Sequence, residues 1–469
     1  MFYPDKMTLR DSYGRQRIFK GINICIKKDR FTYFVYRKAR KLDKLFDQYA
    51  AQGINMIRLG FNWAALEPRR GQYDQRAFAL LKQYVQAAQD RDMYVLLDVH
   101  QDLFCSKFRY GDGAPRWVTK AYARKRPIAV WAEGYFYFQD VQRAFNDFWR
   151  NKNQVQQDFS RLWDKIIEEF QDYDHVIGYD FLNEPMITDH SNTVFCRLID
   201  QTLAAAVGES FCAQAYFQNG KEKRGFLQLC GAVLKRIQKT GGLHSFLHAI
   251  DSASVFGAAV KGLEAYTQAF NRESYQPFMD AMAAKTDGTE KLAFFEHNYY
   301  SNLGIPFDLD TQARWVYSPH AYDLFIDSPL YNRFSSNARI RYILDAIRQN
   351  QLRMQTPVVM GEWGGSARHG HQWIAHIDYV YSVFEQNQWS CIYWNYKIKD
   401  KKFTAVMNRP YPCAVCGEIT AYRSDSKTRH FRLDYTCLEN TAPTVVYVPG
   451  KGYLEYDNQV GNNVIELDY

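Results

Sequence analysis

Between residues 17 and 394 the sequence alternates between short runs rich in β-branched residues and longer segments with apolar residues at helical spacing. Runs that are apolar almost throughout, such as MYVLLDVH, are typical of strands buried on both faces. Counting such runs gives eight strands, most of them separated by helical patterns. Repeated βα units of this number and length predict an α/β fold, a (β/α)8 TIM barrel over residues 1–400.

Two segments depart from this repeat. Residues 188–290, between the fourth and fifth predicted strands, contain helical patterns at 193–207, 226–239 and 255–270, where one helix would suffice. We interpret this segment as a helical insertion on a βα loop, which places it on the catalytic face of a barrel as a lid or cleft wall. Residues 411–469 turn to Pro/Gly turns and alternating patterns such as TVVYV and NVIELDY, which predict a small C-terminal β-sandwich domain.

Composition and charge indicate which kinds of molecule the protein can bind. Aromatic residues make up 16% of the 469 residues, and flat rings suit sugar clefts and amphiphile grooves as well as cores. The net charge of +8 (59 Lys+Arg against 51 Asp+Glu) is mild, and no dense basic block predicts nucleic-acid binding. A weak, transient contact with an anionic membrane surface is compatible with that charge.

The termini and cysteines bear on location. No apolar run is long enough for a transmembrane helix, and the start MFYPDKMTLRDSYGRQ lacks a secretory pattern. Nine scattered cysteines suit reduced thiols. We therefore expect a cytoplasmic protein, or a secreted one if the N-terminus is processed.

No cofactor or metal is expected. A Gly-rich phosphate loop is missing from the sequence, so no nucleotide cofactor is implied. Cys413 and Cys416 form a C-x2-C, but His430 and Cys437 follow at the wrong spacing for common zinc ribbons. Whether this pair binds anything stays open.

Polar and ionisable residues recur at the carboxyl ends of the predicted strands. They are Arg58, Asp98, His100, Asp102, Asn183, Glu184, His320, Tyr322, Glu362 and Trp394. Each has a structural explanation when taken alone, since Asn-Glu-Pro begins many helices and GEWGG suits a turn. Strand ends on one rim converge on a common axis, however, so their joint placement favours a single catalytic cleft.

Two glutamates stand out among them. Glu184 and Glu362 follow the fourth and seventh strands, on opposite sides of the barrel axis, as the carboxyl pair of a retaining glycosidase requires. The Asn183 amide is suited to bind a substrate 2-hydroxyl. Arg58 and the Tyr322 hydroxyl are expected to keep Glu362 ionised, and Trp394 to form an aromatic floor for the sugar.

The motifs resemble those of a known family. GINICIKK, DVHQDLF, GDGAPRW, YDFLNEP, YSPHAYD, GEWGG and RPYPCAVCG are similar to those of glycoside hydrolase family 5, and within it to endoglycoceramidases and glucosylceramidases, over residues 21–417. The resemblance implies Glu184 as acid/base, Glu362 as nucleophile and Asn183 as the 2-hydroxyl contact. It places Asp98, His100, Asp102, Tyr322 and Trp394 around the first sugar, with Lys27 or Lys28 nearby.

The predicted function is hydrolysis of the linkage between glycan and ceramide in glycosphingolipids. The long insertion, and His297 where the family commonly has Pro after the equivalent of Glu296, leave the endo or exo mode and the accepted head groups open. The alternatives are an exo-acting glucosylceramidase or steryl-β-glucosidase, and an endo-β-glucanase of soluble polysaccharide. A catalytically silent glycolipid-binding protein is disfavoured by the presence of both glutamates and Asn183.

Overall fold

The computed structural model describes residues 1–27, 39–128, 130–187, 189–218, 222–367, 369–396 and 398–469. Its strands are β1 (Phe2–Asp5), β2 (Thr8–Asp11), β3 (Gln16–Arg17), β4 (Lys20–Ile26), β5 (Met56–Phe61), β6 (Tyr94–Val99), β7 (Val176–Asp180), β8 (Leu292–Phe295), β9 (Trp315–Tyr317), β10 (His320–Ala321), β11 (Val359–Gly364), β12 (Ser390–Trp394), β13 (Tyr411–Val415), β14 (Glu418–Asp425), β15 (His430–Cys437), β16 (Thr444–Val448), β17 (Gly452–Tyr456) and β18 (Gly461–Asp468).

The α-helices are α1 (Ala39–Ala50), α2 (Trp63–Leu66), α3 (Gln75–Gln89), α4 (Glu133–Tyr137), α5 (Gln139–Trp149), α6 (Val155–Phe170), α7 (Ser191–Val207), α8 (Glu222–Lys239), α9 (Gly242–Ala249), α10 (Ala253–Val260), α11 (Glu264–Phe270), α12 (Gln276–Ala283), α13 (Tyr331–Phe334), α14 (Asn337–Met354), α15 (Trp373–Asn387) and α16 (Lys401–Met407). None of the helices in the described ranges is long and apolar enough to cross a membrane.

Strands β4 to β12 form one parallel sheet in the order β10-β11-β12-β4-β5-β6-β7-β8-β9. Strands β9 and β10 share the sixth barrel position, because β9 pairs with β8 and β10 with β11. A parallel bridge between Tyr317 and Val358 closes the sheet on itself. The predicted TIM barrel is therefore confirmed.

The amino-terminal end of the barrel is filled by apolar side chains. Met56, Leu96, Leu292, Val316 and Ile392, each from a different strand, are buried in one cluster. Charged residues lie farther along some of these strands, such as Arg58 on β5 and Asp98 on β6. The apolar layer forms a rigid base, and the polar groups are confined to the opposite end, where the βα loops open.

The insertion between β7 and β8 is helical, as predicted, and comprises α7 to α12. It packs on the rim through aromatic pairs, with Phe195 stacked on Phe136 at 4.7 Å and Phe226 stacked on Tyr137 at 4.5 Å between ring centroids. Thr188, the first residue of the predicted insertion, lies outside the described residues. The packing fixes the insertion beside the carboxyl ends of the strands.

The C-terminal β-domain consists of two antiparallel sheets. One has the order β1-β2-β3-β13-β16-β17 and the other β14-β15-β18. The predicted β-sandwich is present, and it also takes in the first strands of the chain, since Arg17 of β3 pairs with Ala414 of β13. Phe431, Leu433 and Val446 are among the buried residues of its own apolar core. The division at residues 400 and 411 stays a prediction.

Candidate active site

Strand register brings polar residues of neighbouring strands to one level. Asn23 of β4 pairs with Arg58 of β5, and His320 of β10 pairs with Glu362 of β11. Gly60 gives the space that this crowding needs, because a Cβ atom there would lie 2.8 Å from Oδ2 of Asp98. The carboxyl ends of the strands thus form a polar, close-packed floor.

The guanidinium of Arg58 is the hub of that floor. Its side chain is 1% exposed. The nitrogens contact Asp180 at 2.9 Å, Glu296 at 2.7 Å, Glu362 at 2.7 Å and Asp98 at 3.1 Å. A guanidinium stays charged in proteins and holds carboxylates in fixed directions. Arg58 therefore orients several buried acids at once and counteracts the rise in pKa that burial causes in each of them.

Glu362 lies between two donors. Nη1 of Arg58 donates to its Oε1 at 2.7 Å, and the hydroxyl of Tyr322 donates to its Oε2 at 2.8 Å. Burial by itself would raise the pKa of Glu362, but the charges of His320 and Arg58 outweigh burial and lower the pKa to about 2. The group is an ionised carboxylate at neutral pH, as a nucleophile must be.

Glu184 has the opposite character. Burial raises its pKa, although a hydrogen bond from His320 and the charge of that ring act against the shift. Nδ1 of His320 and Nδ2 of Asn302 both lie 3.0 Å from its Oε1. Its backbone is left-handed, with φ of 44°, and its N–H donates to Glu296 at 2.7 Å. This uncommon backbone is held by its surroundings, which fixes the direction of the side chain.

The two glutamates approach closely. One carboxylate oxygen of each, together with a ring nitrogen of His320, lie within 4.8 Å of one another. Retaining glycosidases hold their carboxyl groups about 5–5.5 Å apart, whereas inverting enzymes leave roughly 6.5–9.5 Å for a water molecule. The arrangement can attack an anomeric carbon with Glu362 while Glu184 delivers a proton.

Aromatic and charged side chains lie beside the two glutamates. The ring of Trp394 stacks parallel to that of His100, with centroids 5.8 Å apart and 4° between the planes. Nζ of Lys27 lies 4.5 Å from the Trp394 ring and forms an ion pair with Asp102. Burial lowers the pKa of His100 to about 3, so its ring is neutral, and its Nδ1 lies 2.9 Å from Oδ2 of Asp98. Aromatic and charged groups are thus presented together, as sugar recognition requires.

Two groups of side chains have the spacing of metal ligands. They are Glu184, His320 and Glu362, and Asp98, Asp180 and Glu296. Arg58 contacts four of these carboxylates, so a positive charge already lies among them. At the C-terminal domain His430 contacts Glu466 and Asp468 at 2.9 Å. The expectation of no metal stays a prediction.

Every predicted site residue that the structure describes lies at or just after the carboxyl end of a barrel strand, around Arg58 and the two glutamates. They are Lys27, Arg58, Asp98, His100, Asp102, Asn183, Glu184, His320, Tyr322, Glu362 and Trp394; Lys28 lies outside the described residues. Asp180, Glu296 and Asn302 belong to the site but were not predicted. Asp180 and Glu296 also stand at strand ends, in YDFLNEP and FFEHNYY, so the same signal was available for them.

Comparison with known proteins identifies the family of the chain. The family model described as "Cellulase (glycosyl hydrolase family 5)" matches residues 11–400, and that of the glycoside hydrolase family 5 C-terminal domain matches residues 409–467. An endoglycoceramidase of Cyanea nozakii is 29% identical over 210 residues, which cover 40% of this chain and 42% of the relative. Endoglycoceramidase I of Rhodococcus hoagii is 28% identical over 206 residues, 43% of this chain and 41% of the relative. The chain thus matches about two fifths of the length of these relatives.

The fold has solved counterparts. Endo-glycoceramidase II from Rhodococcus sp., in a structure described as a ganglioside GM3 complex, superposes with a TM-score of 0.67. The superposition covers 99% of both chains at 19% sequence identity. At that identity the likeness shows a shared fold.

Proposed function

We propose, since the chain belongs to glycoside hydrolase family 5, that it hydrolyses the linkage between glycan and ceramide in glycosphingolipids with retention of configuration. The observation that carries the proposal is the close carboxyl pair, in which burial raises the pKa of Glu184 while His320 and Arg58 lower that of Glu362 to about 2. Two carboxyl groups with opposite shifts can act as acid and nucleophile at the same pH.

The reaction follows from these positions. Glu362 attacks the anomeric carbon, and Glu184 gives its proton to the departing ceramide oxygen, so that a glycosyl ester forms on Glu362. Glu184, now a carboxylate, takes a proton from water, which attacks the ester and releases the glycan. Asn183 accepts from Arg58 at 3.0 Å and donates to Gln101 at 3.0 Å, so its amide plane is fixed for the 2-hydroxyl.

The lipid substrate is supported by the relatives rather than by the pair of acids. Two relatives are named endoglycoceramidases, and the structural neighbour was solved with ganglioside GM3. Removal of a single glucose from glucosylceramide or a steryl glucoside remains the first alternative, because the insertion α7 to α12 stands on the rim of the cleft. Cleavage of a soluble β-glucan is the second.

Three glycosphingolipids with a fluorescent ceramide, together with carboxymethylcellulose as a soluble glucan, distinguish these functions. The protein is incubated with labelled glucosylceramide, lactosylceramide and GM3, and products are resolved by thin-layer chromatography. Release of intact lactose with labelled ceramide is expected and establishes the endo mode. Cleavage of glucosylceramide alone would favour the exo alternative, and cleavage of carboxymethylcellulose alone would exclude both lipid substrates.

We also infer that the chain meets its substrate at an anionic membrane surface through helix α8. Leu227 and Leu234, seven residues apart and so on one face of the helix, are 55% and 49% exposed. Four exposed cationic residues, Lys223, Arg224, Lys235 and Lys239, flank them. Apolar side chains between cations are typical of helices that lie at a lipid interface.

Vesicle sedimentation tests this contact. Leu227→Asp with Leu234→Asp is expected to abolish sedimentation with phosphatidylserine-containing vesicles, because carboxylates oppose the anionic surface. Leu352→Asp, at a leucine 38% exposed on α14, is the matched control and should sediment like the parent. Equal binding by the parent and the double variant, or equal binding to pure phosphatidylcholine, would contradict the inference.

A further inference from the structure

A directed chain of hydrogen bonds runs from α14 to Glu184. Asn350 donates from Nδ2 to the Tyr317 hydroxyl oxygen at 3.1 Å, and that oxygen lies 2.8 Å from Nδ1 of His297. Nε2 of His297 lies 2.6 Å from Oδ1 of Asn302, whose Nδ2 donates to Oε1 of Glu184 at 3.0 Å. Asn350, Tyr317 and His297 are each at most 2% exposed. Water is therefore excluded as a competing partner for most of the chain.

The donor-to-acceptor direction of these hydrogen bonds is set near both ends by backbone groups that can only donate or only accept. At its start the backbone N–H of Phe307 donates to Oδ1 of Asn350, which turns Nδ2 of Asn350 toward Tyr317. Near its other end Nε2 of His297 also lies 3.1 Å from the backbone oxygen of His320, which can only accept. Nε2 of His297 must therefore carry the hydrogen.

The remaining roles follow from that hydrogen. Burial lowers the pKa of His297 to about 3, so the ring is neutral and Nδ1 has a free electron pair. Tyr317 then donates to Nδ1, and Asn302 must present its oxygen to His297 and its amide hydrogens to Glu184. No other assignment leaves each of these contacts with one donor and one acceptor.

We propose that His297 and Asn302 are positioning residues that hold the acid/base Glu184 and set the oxygen from which it gives its proton. His297 ties Asn302 to the backbone of His320, so it fixes both groups that donate to Oε1 of Glu184. An oxygen that accepts two N–H groups is a poor base, so the transferable proton resides on Oε2. The inference rests on the proposed glycosidase activity and deepens it.

These hydrogen bonds also influence the pKa of Glu184. Donation from Asn302 favours the carboxylate form of Glu184 and lowers its pKa relative to burial alone. Without His297, Asn302 is free to turn its oxygen toward Glu184, which favours the protonated form. The alkaline limb of activity, where the acid loses its proton, must then move to higher pH.

The test compares pH profiles of kcat/KM on a glycolipid. His297→Phe, which keeps a ring but removes both nitrogens, is expected to raise the alkaline limb by about one pH unit, the size of one hydrogen bond to a charged group. Asn302→Ala should move the alkaline limb in the same direction, and it replaces His297→Phe as the test if that variant does not fold. His297→Gln places an amide nitrogen where Nε2 lies and should restore the parental limb.

Two controls separate positioning from damage. Formation of the glycosyl ester from an activated aryl glycoside needs little protonation, so in the variants this step should fall less than turnover of the glycolipid does. His376→Phe removes another buried histidine, which lies on α15 with its Nδ1 2.8 Å from Oδ1 of Asn337. His376 is not part of this series of hydrogen bonds, so the variant should leave the alkaline limb unmoved. If the alkaline limb is unmoved in both His297→Phe and Asn302→Ala, the positioning role is refuted and the proposed function is not affected. If the parent protein is inactive on every β-glycoside, the proposed function itself is refuted.

Discussion

The hydroxyl of Tyr322 lies 2.8 Å from Oε2 of Glu362 and donates a hydrogen bond to it. The donated hydrogen stabilises the carboxylate form of Glu362, the proposed nucleophile. It also limits the rotation of the side chain, because the other oxygen is held by Arg58 at 2.7 Å. The proposed nucleophile is therefore both charged and directed before substrate enters.

Tyr322→Phe removes that hydrogen bond and keeps the ring. We expect kcat to fall about tenfold to a hundredfold, the range for loss of one hydrogen bond to a charged group. The pKa of Glu362 should rise, since its carboxylate loses a donor, so the acid limb of kcat/KM moves to higher pH. An unchanged acid limb would show that Tyr322 does not tune Glu362.

Arg58→Met leaves several buried carboxylates without their counter-ion. We expect a loss of about 3–5 kcal/mol in the free energy of unfolding, as for breaking a buried ion pair, together with loss of activity. Urea denaturation measures the first. The control is Arg432→Met, whose side chain is 46% exposed and pairs with Asp434, where a change below about 1 kcal/mol is expected. Equal losses in the two variants would contradict the central role of Arg58.

Lys20 makes stability depend on pH. Burial lowers its pKa to about 7, and its Nζ lies between the rings of Tyr411 and Tyr447 at 5.4 and 5.3 Å. Between pH 7 and about 10.4 the unfolded chain binds the Lys20 proton and the folded chain does not, so stability should rise with pH across this window. Lys20→Met should remove that part of the rise, while Lys6→Met, on the surface, should retain it. Identical unfolding curves for all three proteins across the window would contradict the prediction.

Glu184→Ala separates acid catalysis from nucleophilic attack. Activity on glycolipid should be lost, whereas formation of the glycosyl ester from an activated aryl glycoside should be retained to a larger extent, because its leaving group needs little protonation. Glu362→Ala should lose turnover of both. Rates on the two substrates measure the contrast, and equal loss on both in Glu184→Ala would refute the assigned acid role.

The barrel and its strand-end residues could be predicted from sequence because both depend on local patterns. Apolar runs mark the strands, and the residues that follow them must share a rim, so Arg58, Glu184 and Glu362 were found together. The pairing of β3 with β13 was not foreseen, since it joins residues nearly the whole chain apart. A cytoplasmic location stays a prediction.

The role of His297 could not be predicted from the sequence. The sequence marked it only as a departure after Glu296, and nothing local indicates which ring nitrogen carries its hydrogen. That choice depends on the backbone oxygen of His320 and on Tyr317, which the fold brings to it from β9 and β10. Hydrogen-bond direction is a tertiary property, so the positioning of Glu184 could not be read from the motif.

The account depends on Glu362 forming a covalent bond to the sugar. A 2-deoxy-2-fluoro-β-glycoside with a good leaving group slows breakdown of the glycosyl enzyme, so that peptide mass spectrometry can locate the label. We predict one fluorosugar per chain on the peptide that contains Glu362, and none in Glu362→Gln. A label on any other residue, or turnover that gives the inverted anomer without a label, would contradict the assignment.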